Sequence, residues 1–286
     1  MKVRAIKKLS GTHETKELCR IFGVSRSTYY SAVGRRASKR SVENEVLRAK
    51  IVEIHDRSKK RYGSIKITQA LAKQGVKISQ GRVLRLMREL GIRSIVRHKC
   101  RIVRHQENDI KRENRLKRQF HAERPNQIWL TDITYIKTVK DGWTYLAVVL
   151  DMCTRKAVGW SYGRTMTAQL ANDALLAGYR NQGYPDDVLL HSDQGSQYTS
   201  DLVVQTATRL GMRLSYSPKG SPIDNSPMEA FNSILKKELV YTSGTFADFD
   251  SAKLLIFDFI EGFYNRNRIH GSIGYLSPID FENLFH

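Results

Sequence analysis

Three acidic residues carry the chemistry this chain can be expected to do. Asp132 lies in Trp129-Leu130-Thr131-Asp132-Ile133-Thr134-Tyr135, Asp193 in His191-Ser192-Asp193-Gln194-Gly195, and Glu229 in Asn225-Ser226-Pro227-Met228-Glu229. Thirty-five residues separate Asp193 from Glu229, and Lys236 follows Glu229 by seven. Three carboxylates brought together repel one another by several kcal/mol, so such a set makes physical sense only around hard divalent cations. Two Mg²⁺ about 3.5–4 Å apart would bridge a scissile phosphate, activate a water or a 3′-hydroxyl, and stabilise the leaving oxygen. Taken singly, each acid has a plainer role: Asp132 as a turn cap, Asp193 in an Asx-turn with Gly195, Glu229 as a surface residue paired with Lys236. Three acids at element ends, with a lysine on the same helix face, favour phosphodiester chemistry. Asp151 is the rival fourth carboxylate, and its place at a strand end assigns it to a turn bonding toward Arg155.

The elements that must position these acids follow from periodicity. Strand-like runs at 128–138 and 143–151 are joined through Asp141-Gly142, a hairpin signal, and 156–163 follows as a third strand of a meander. A helix is expected over 167–182, a short buried strand over 188–191, a helix over 200–210, a strand over 213–217, and a helix opened by Asp224 and running to Leu239. The order is β-β-β-α-β-α-β-α, a mixed sheet covered by helices. Asp132 falls inside the first strand, sharing a face with Leu130 and Thr134, while Asp193 ends the fourth. Carboxyl ends of strands are where such sheets build sites. On the last helix Asn225, Asn232, Ser233 and Lys236 fall near the Glu229 face.

Charge divides the chain. Residues 1–124 hold 34 Lys and Arg against 11 Asp and Glu, a net of +23, whereas 125–286 hold 14 against 17, a net of −3. A basic arm joined to a nearly neutral, acid-sited domain points to a nucleic-acid substrate held by one part and processed by the other, and the turn-containing helical pair in that arm favours duplex DNA. The first proline is Pro125, so composition changes where charge changes. The expected units are 1–36, a helix-turn-helix segment; 37–122, a basic helical DNA-binding region; 123–242, the catalytic core; and 243–286, a helical extension. In the first unit Ser25 or Ser27 caps a recognition helix that would present Arg26, Thr28 and Tyr29 to DNA. In the second, Arg82, Arg85 and Arg88 recur at threes on one helix face and are assigned to phosphates, because few acids stand nearby to pair with them. His98, Cys100 and His105 lack the CxxC or HxxxH spacing of a zinc site. Cys19, Cys100 and Cys153 offer no disulfide framework and suit a reducing cytosol. The longest aliphatic run, Leu146 to Leu150, is too short to span a bilayer.

The acid set with its 35-residue gap and Lys236 resembles the catalytic core of retroviral integrases and DDE transposases. The words around Asp132, His191-Ser192-Asp193-Gln194-Gly195-Ser196-Gln197-Tyr198, and Tyr264-Asn265-Arg266-Asn267-Arg268-Ile269-His270 followed by Ser277-Pro278 are similar to the OrfB products of the bacterial insertion-sequence family whose transposase is made by frameshifting. The resemblance spans nearly the whole chain. It implies a ribonuclease H-like fold preceded by an all-α region, and Mg²⁺ (with Mn²⁺ able to substitute) held by Asp132, Asp193 and Glu229. It also implies contact of Lys236 with terminal DNA and a copy-out, paste-in route. The partners it implies are element-end and target DNA, further copies of the chain on that DNA, and an upstream-frame product or fusion. Integrases also carry a His/His/Cys/Cys unit ahead of the core, and no such spacing occurs here. Two other functions use the same features: a DNA-binding regulator with idle acids, and a ribonuclease acting on RNA–DNA hybrids. The aromatic-rich stretch 256–270 is expected to form one helix packed on the core, with Arg266, Arg268 and His270 as further candidates for DNA contact.

Overall fold

The structure, a computed structural model, describes residues 2–34, 39–96, 113–218 and 222–285. His98, Cys100 and His105 lie outside them.

The basic arm forms two helical groups. The first comprises α1 (Lys2–Leu9), α2 (Thr15–Ile21) and α3 (Arg26–Val33), closed over Ile6, Leu18, Cys19 and Tyr29. Gly23 makes the turn between α2 and α3 at φ +61°, and the Ser25 hydroxyl caps α3 by accepting the Thr28 amide at 3.1 Å. The second group comprises α4 (Lys39–Arg57), α5 (Ser64–Lys73) and α6 (Gln80–Glu89), with Ser79 capping α6 through the Arg82 amide.

The second half of the chain carries a five-stranded sheet of order β3-β2-β1-β4-β5, from β1 (Ile128–Lys137), β2 (Trp143–Asp151), β3 (Ala157–Gly163), β4 (Leu189–Ser192) and β5 (Arg213–Tyr216). The first three strands are the antiparallel meander; β4 joins β1 in parallel and β5 joins β4 in parallel. This is the ribonuclease H-like arrangement. Gly142 at φ +73° completes the β1–β2 turn, where the Thr138 amide donates to the Gly142 carbonyl at 2.7 Å. Between β2 and β3 the buried Asp151 carboxylate accepts from the amides of Thr154 and Asn126, each at 2.7 Å, so Asp151 is a turn residue whose carboxylate bonds backbone, while the Arg155 amide bonds its carbonyl.

Alternation along the strands creates two faces with different cover. Trp129, Ile133, Ala147 and Val149 pack under α7 (Ala168–Asn181) and α8 (Asp201–Arg209). Leu130, Ile136, Leu146, Val148 and Leu150 face the other way, toward α9 (Ser226–Leu235), which runs on through a π-helical turn at Lys236–Val240 into α10 (Tyr241–Ser243). That second core continues without a break into α11 (Phe249–Phe257) and into Leu47, Ile51, Leu71 and Leu86 of the second helical group. The charge boundary near residue 122 is therefore crossed by packing. Arg61 lies over the Phe263 ring at 4.2 Å and donates from Nε to the Glu238 carbonyl at 3.0 Å; Tyr62 Oη donates to the Asn267 carbonyl and accepts the Ile269 amide.

Two helices differ from their expected form. The segment opened by Asp224 begins as a 3₁₀ turn, Pro222–Asn225, because Pro227 fits the first turn of an α-helix that starts only at Ser226. The stretch 256–270 is not one helix: α11 ends at Phe257, a π-helical turn covers Asp258–Tyr264, and the chain then extends, ahead of α12 (Pro278–Glu282). Asn265 explains the change, since its carboxamide pairs with the Ala157 amide and carbonyl, both at 3.0 Å, extending the edge of β3 rather than a helix. No helix among the described residues is long and apolar enough to cross a membrane.

Candidate active site

Parallel pairing puts the two aspartates side by side. Leu130 of β1 is in register with His191 of β4, so two residues further along both chains Asp132 and Asp193 are neighbours on one face, the face that α9 covers. β4 stops at Ser192 while β1 continues to Lys137, leaving an open edge beside Asp132. Into that opening α9 brings Glu229, Asn232, Ser233 and Lys236, which with Lys237, Tyr241 and the Asp132–Tyr135 segment line a cleft of about 420 Å³. The π-helical turn begins at Lys236, two turns past Glu229, so both side chains project from α9 into the same space.

Burial pushes the Asp132 carboxyl up to about 7, helped by the charges of Asp193 and Glu229 and opposed by the Ile133 amide and Lys236. Burial also raises Asp193, against the hydrogen bond from the Gly195 amide, and it raises Glu229. Asp193 does make the Asx-turn with Gly195, at 2.9 Å, and its side chain still reaches the solvent rim. Asn232 donates from Nδ2 to Asp132 Oδ2 at 2.8 Å, while its own Oδ1 is buried without a partner. Tyr198 lies beneath the aspartates, hydrogen-bonded to Thr131 Oγ1 at 3.0 Å, its phenol held neutral by burial and by the charge of Asp132. Among the described residues no three His, Cys, Asp or Glu side chains are drawn close enough together to hold a metal ion. The donor chemistry nevertheless fits a hard cation: oxygen ligands only, with burial first and then the charges of Asp193 and Glu229 raising the charging cost of Asp132, a cost that a bound cation offsets.

One structural tie was not legible as such in the sequence. His191 is fully buried, and its ring bonds Ser215 Oγ at 2.9 Å through Nδ1 and the Asp224 carbonyl at 3.0 Å through Nε2. It thus joins the strand that ends in Asp193 to the segment that leads into α9. Arg118 adds an ion pair to the Asp224 carboxylate at 2.5 Å. A histidine two residues before a candidate ligand aspartate was the available signal.

The candidate DNA contacts divide. Arg26 and Thr28 stand exposed at the start of α3, as expected. Tyr29 does not: only 4% exposed, it is a core residue of the first helical group, because the fourth helical position turns inward onto α1 and α2. Arg82 is held by α4, its guanidinium meeting Glu43 at 2.8 Å and Asn44 at 2.8 Å, so acids are in fact near it once the helices pack. Arg85 and Arg88 are exposed, Arg85 at 3.8 Å from Glu89. Arg268 and His270 are internal rather than DNA-facing: Arg268 forms a two-point ion pair with Glu238, and burial, with the charges of Arg268, Lys66 and Arg155, pushes His270 down to about 2. Arg266 is exposed.

Family models for an integrase core domain match residues 122–222 and 229–284, and an HTH-like domain matches 41–99. The HTH-like match falls on α4–α6, whereas the turn-containing pair expected from sequence is α2–α3. The transposase InsF for insertion sequence IS3A of Escherichia coli (strain K12) is 36% identical over 286 residues, covering 99% of each chain. The transposase for insertion sequence element IS904 of Lactococcus lactis is 39% identical over 249 residues, 87% of this chain and 98% of that one. Among solved structures, the HTLV-2 integrase catalytic core domain in complex with magnesium, trimeric form, aligns over 57% of this chain and 99% of that one at 18% identity, with a TM-score of 0.43, a likeness too slight to argue from.

Proposed function

This chain belongs to the insertion-sequence transposases that carry an integrase core, and from that premise we propose that Asp132, Asp193 and Glu229 are its catalytic acids in a metal-dependent cutting and joining of DNA strands. The observation that carries the reading is the parallel register that sets Asp132 beside Asp193, on the face where α9 presents Glu229 and Lys236 to the same cleft.

Asp132, Asp193 and Glu229 would hold Mg²⁺, or Mn²⁺ in its place, and the bound ions would supply charge stabilisation at the scissile phosphate and a more acidic attacking hydroxyl. What the chain itself contributes is placement. Asn232 steadies the Asp132 carboxylate by its hydrogen bond, and the His191 ring holds strand and catalytic helix at one spacing. Lys236, on the cleft wall, is suited to a phosphate of the terminal DNA. DNA outside the cleft would be gripped by the basic arm, through Arg26 and Thr28 on α3 and Arg85 and Arg88 on α6. The reading extends to duplex partners at element ends and in the target, to at least two copies of the chain on DNA, and to cooperation with an upstream-frame product. It also keeps the domain division at 1–36, 37–122, 123–242 and 243–286.

The test is a nicking and strand-joining assay in Mg²⁺ with Asp132→Asn, Asp193→Asn and Glu229→Gln. Each variant is expected to lose both steps while DNA affinity stays within about twofold, because the cations that hold DNA lie elsewhere. Near-normal cleavage by any one of them removes that residue from the site.

A further inference from the structure

The cleft does not end at its acids. On the β1–β2 hairpin Tyr135 stands directly across from Tyr145, and Lys137 across from Trp143. Tyr135 meets Tyr145 edge to face at 5.3 Å and Trp143 at 6.3 Å between ring centroids, and Lys137 Nζ lies 5.8 Å from the centre of the Trp143 ring. Tyr145 is anchored on the core beneath α7, whereas Tyr135 and Trp143 are 46% and 56% exposed. By strand alternation these side chains stand on the face of the hairpin opposite Asp132; pairing of β1 with β4 stops at Leu130, so the strand edge beyond it is open, and the cleft reaches around that edge to Tyr135. The hairpin has other supports: the turn at Gly142, and Asp141, whose carboxylate accepts from the Phe249 amide at 2.7 Å and from Arg164 Nε at 3.1 Å.

We propose that Tyr135, Trp143 and Tyr145, with Lys137, form a stacking platform for unpaired nucleobases of the DNA strand entering the Asp132 cleft. This rests on the reading of that cleft as the strand-cutting site. Bases inside a duplex offer no free ring face, whereas a strand separated at the point of cleavage does, and aromatic side chains with interleaved cations bind such bases without regard to sequence. Charge complementarity favours nucleic acid over an apolar protein partner. Lys137 lies over the Trp143 ring, Lys236 and Lys237 line the cleft beyond the open edge of β1, and among the described residues no carboxylate pairs with Lys137.

The experiment compares binding of the full chain to a labelled blunt duplex of about 20 base pairs with binding to the same duplex bearing a single-stranded tail of about five nucleotides, without divalent metal. The tailed duplex is expected to bind about tenfold more tightly, equivalent to about 1.4 kcal/mol. Tyr135→Ala with Trp143→Ala should bring the two affinities within about twofold of each other. Tyr135→Leu with Trp143→Leu, which keeps apolar bulk on the strand without rings, should do the same, and Tyr135→Phe with Trp143→Phe should retain the preference. Absence of a tail preference in the parent chain, or its survival in both ring-free variants, overturns the platform. A change in the sedimentation of the DNA-free chain with tail preference intact would mark the face as a contact between copies, and overturns it equally. Asp132→Asn separates the two readings: it should lose nicking and keep the tail preference, so failure of the platform leaves the acid assignment standing, and the reverse.

Discussion

Replacing Glu238 by Gln should destabilise the chain by about 3–5 kcal/mol, far more than one hydrogen bond is worth. Glu238 and Arg268 are 6% and 7% exposed, and they meet through two contacts, Nη2 to Oε1 at 2.8 Å and Nε to Oε2 at 3.0 Å. Burial opposes the Arg268 charge, and the hydrogen bond and charge of Glu238 outweigh it, holding the guanidinium above its ordinary range. A glutamine keeps the shape and one acceptor but removes the charge, leaving a buried cation uncompensated beside the neutral His270 ring and within reach of Lys66 and Arg61. The cost is that of the orphaned ion, not of the pair. Replacing both partners, Glu238→Leu with Arg268→Met, should therefore cost less than either single change and fall within about 2 kcal/mol of the parent. Urea unfolding monitored by circular dichroism and by tryptophan fluorescence measures the parent, Glu238→Gln, the single variants Glu238→Leu and Arg268→Met, and the double variant. A loss under about 1 kcal/mol for Glu238→Gln, or a double variant worse than both singles, would falsify the account of this cluster. The site is informative because Glu238 belongs to the π-helical turn after α9, and its carbonyl also receives Arg61 from the second helical group. The same loosening should lower strand-cutting activity beyond the fraction unfolded, read at a temperature where the variant remains native.

Three further outcomes are expected. Gly159→Ala should cost more than about 3 kcal/mol by thermal unfolding, since a Cβ there would lie 2.3 Å from the Ala174 carbonyl and the Gly178 amide, backbone atoms no rotamer change can move; a small shift in Tm would refute the close β3–α7 approach. His270, held near 2 in the fold against 6.5 when exposed, contributes stability that is complete above about pH 6.5 and is lost as pH falls, at up to roughly 1.4 kcal/mol per unit; His270→Phe should flatten that slope between pH 6.5 and 4, and an unchanged slope assigns it to other groups. Lys236→Ala should weaken crosslinking to element-end DNA and slow joining while the salt dependence of overall DNA binding, steep because of the +23 arm, stays nearly the same. Unchanged end-crosslinking would return Lys236 to the role of a surface cation.

What the chain spells out locally is its punctuation and its periods. Asp141-Gly142 specifies a tight turn wherever it occurs, Ser25, Ser79, Thr167 and Ser200 cap whatever helices follow them, and alternation of apolar residues sets which side of each strand is wet. Those are interactions between residues a few positions apart, so the strands, most helix bounds and the mixed sheet could be read before any coordinates, and three acids could be singled out as candidates. Tertiary structure decided everything that depends on partners distant in sequence. Tyr29 has the composition of a contact residue and the environment of a core residue, because burial is set by α1 and α2 together. Arg82 seemed free of acids until packing placed Glu43 and Asn44 from another helix against it. Arg268 and His270 read as cations near DNA, yet a buried glutamate 30 residues before Arg268 claims one and desolvation discharges the other. The adjacency of Asp132 and Asp193 belongs to both levels: strand periodicity sets their parity, and only the β1–β4 register, a pairing across about 60 residues whose side chains would all change face with a slip of one, brings the two carboxylates together.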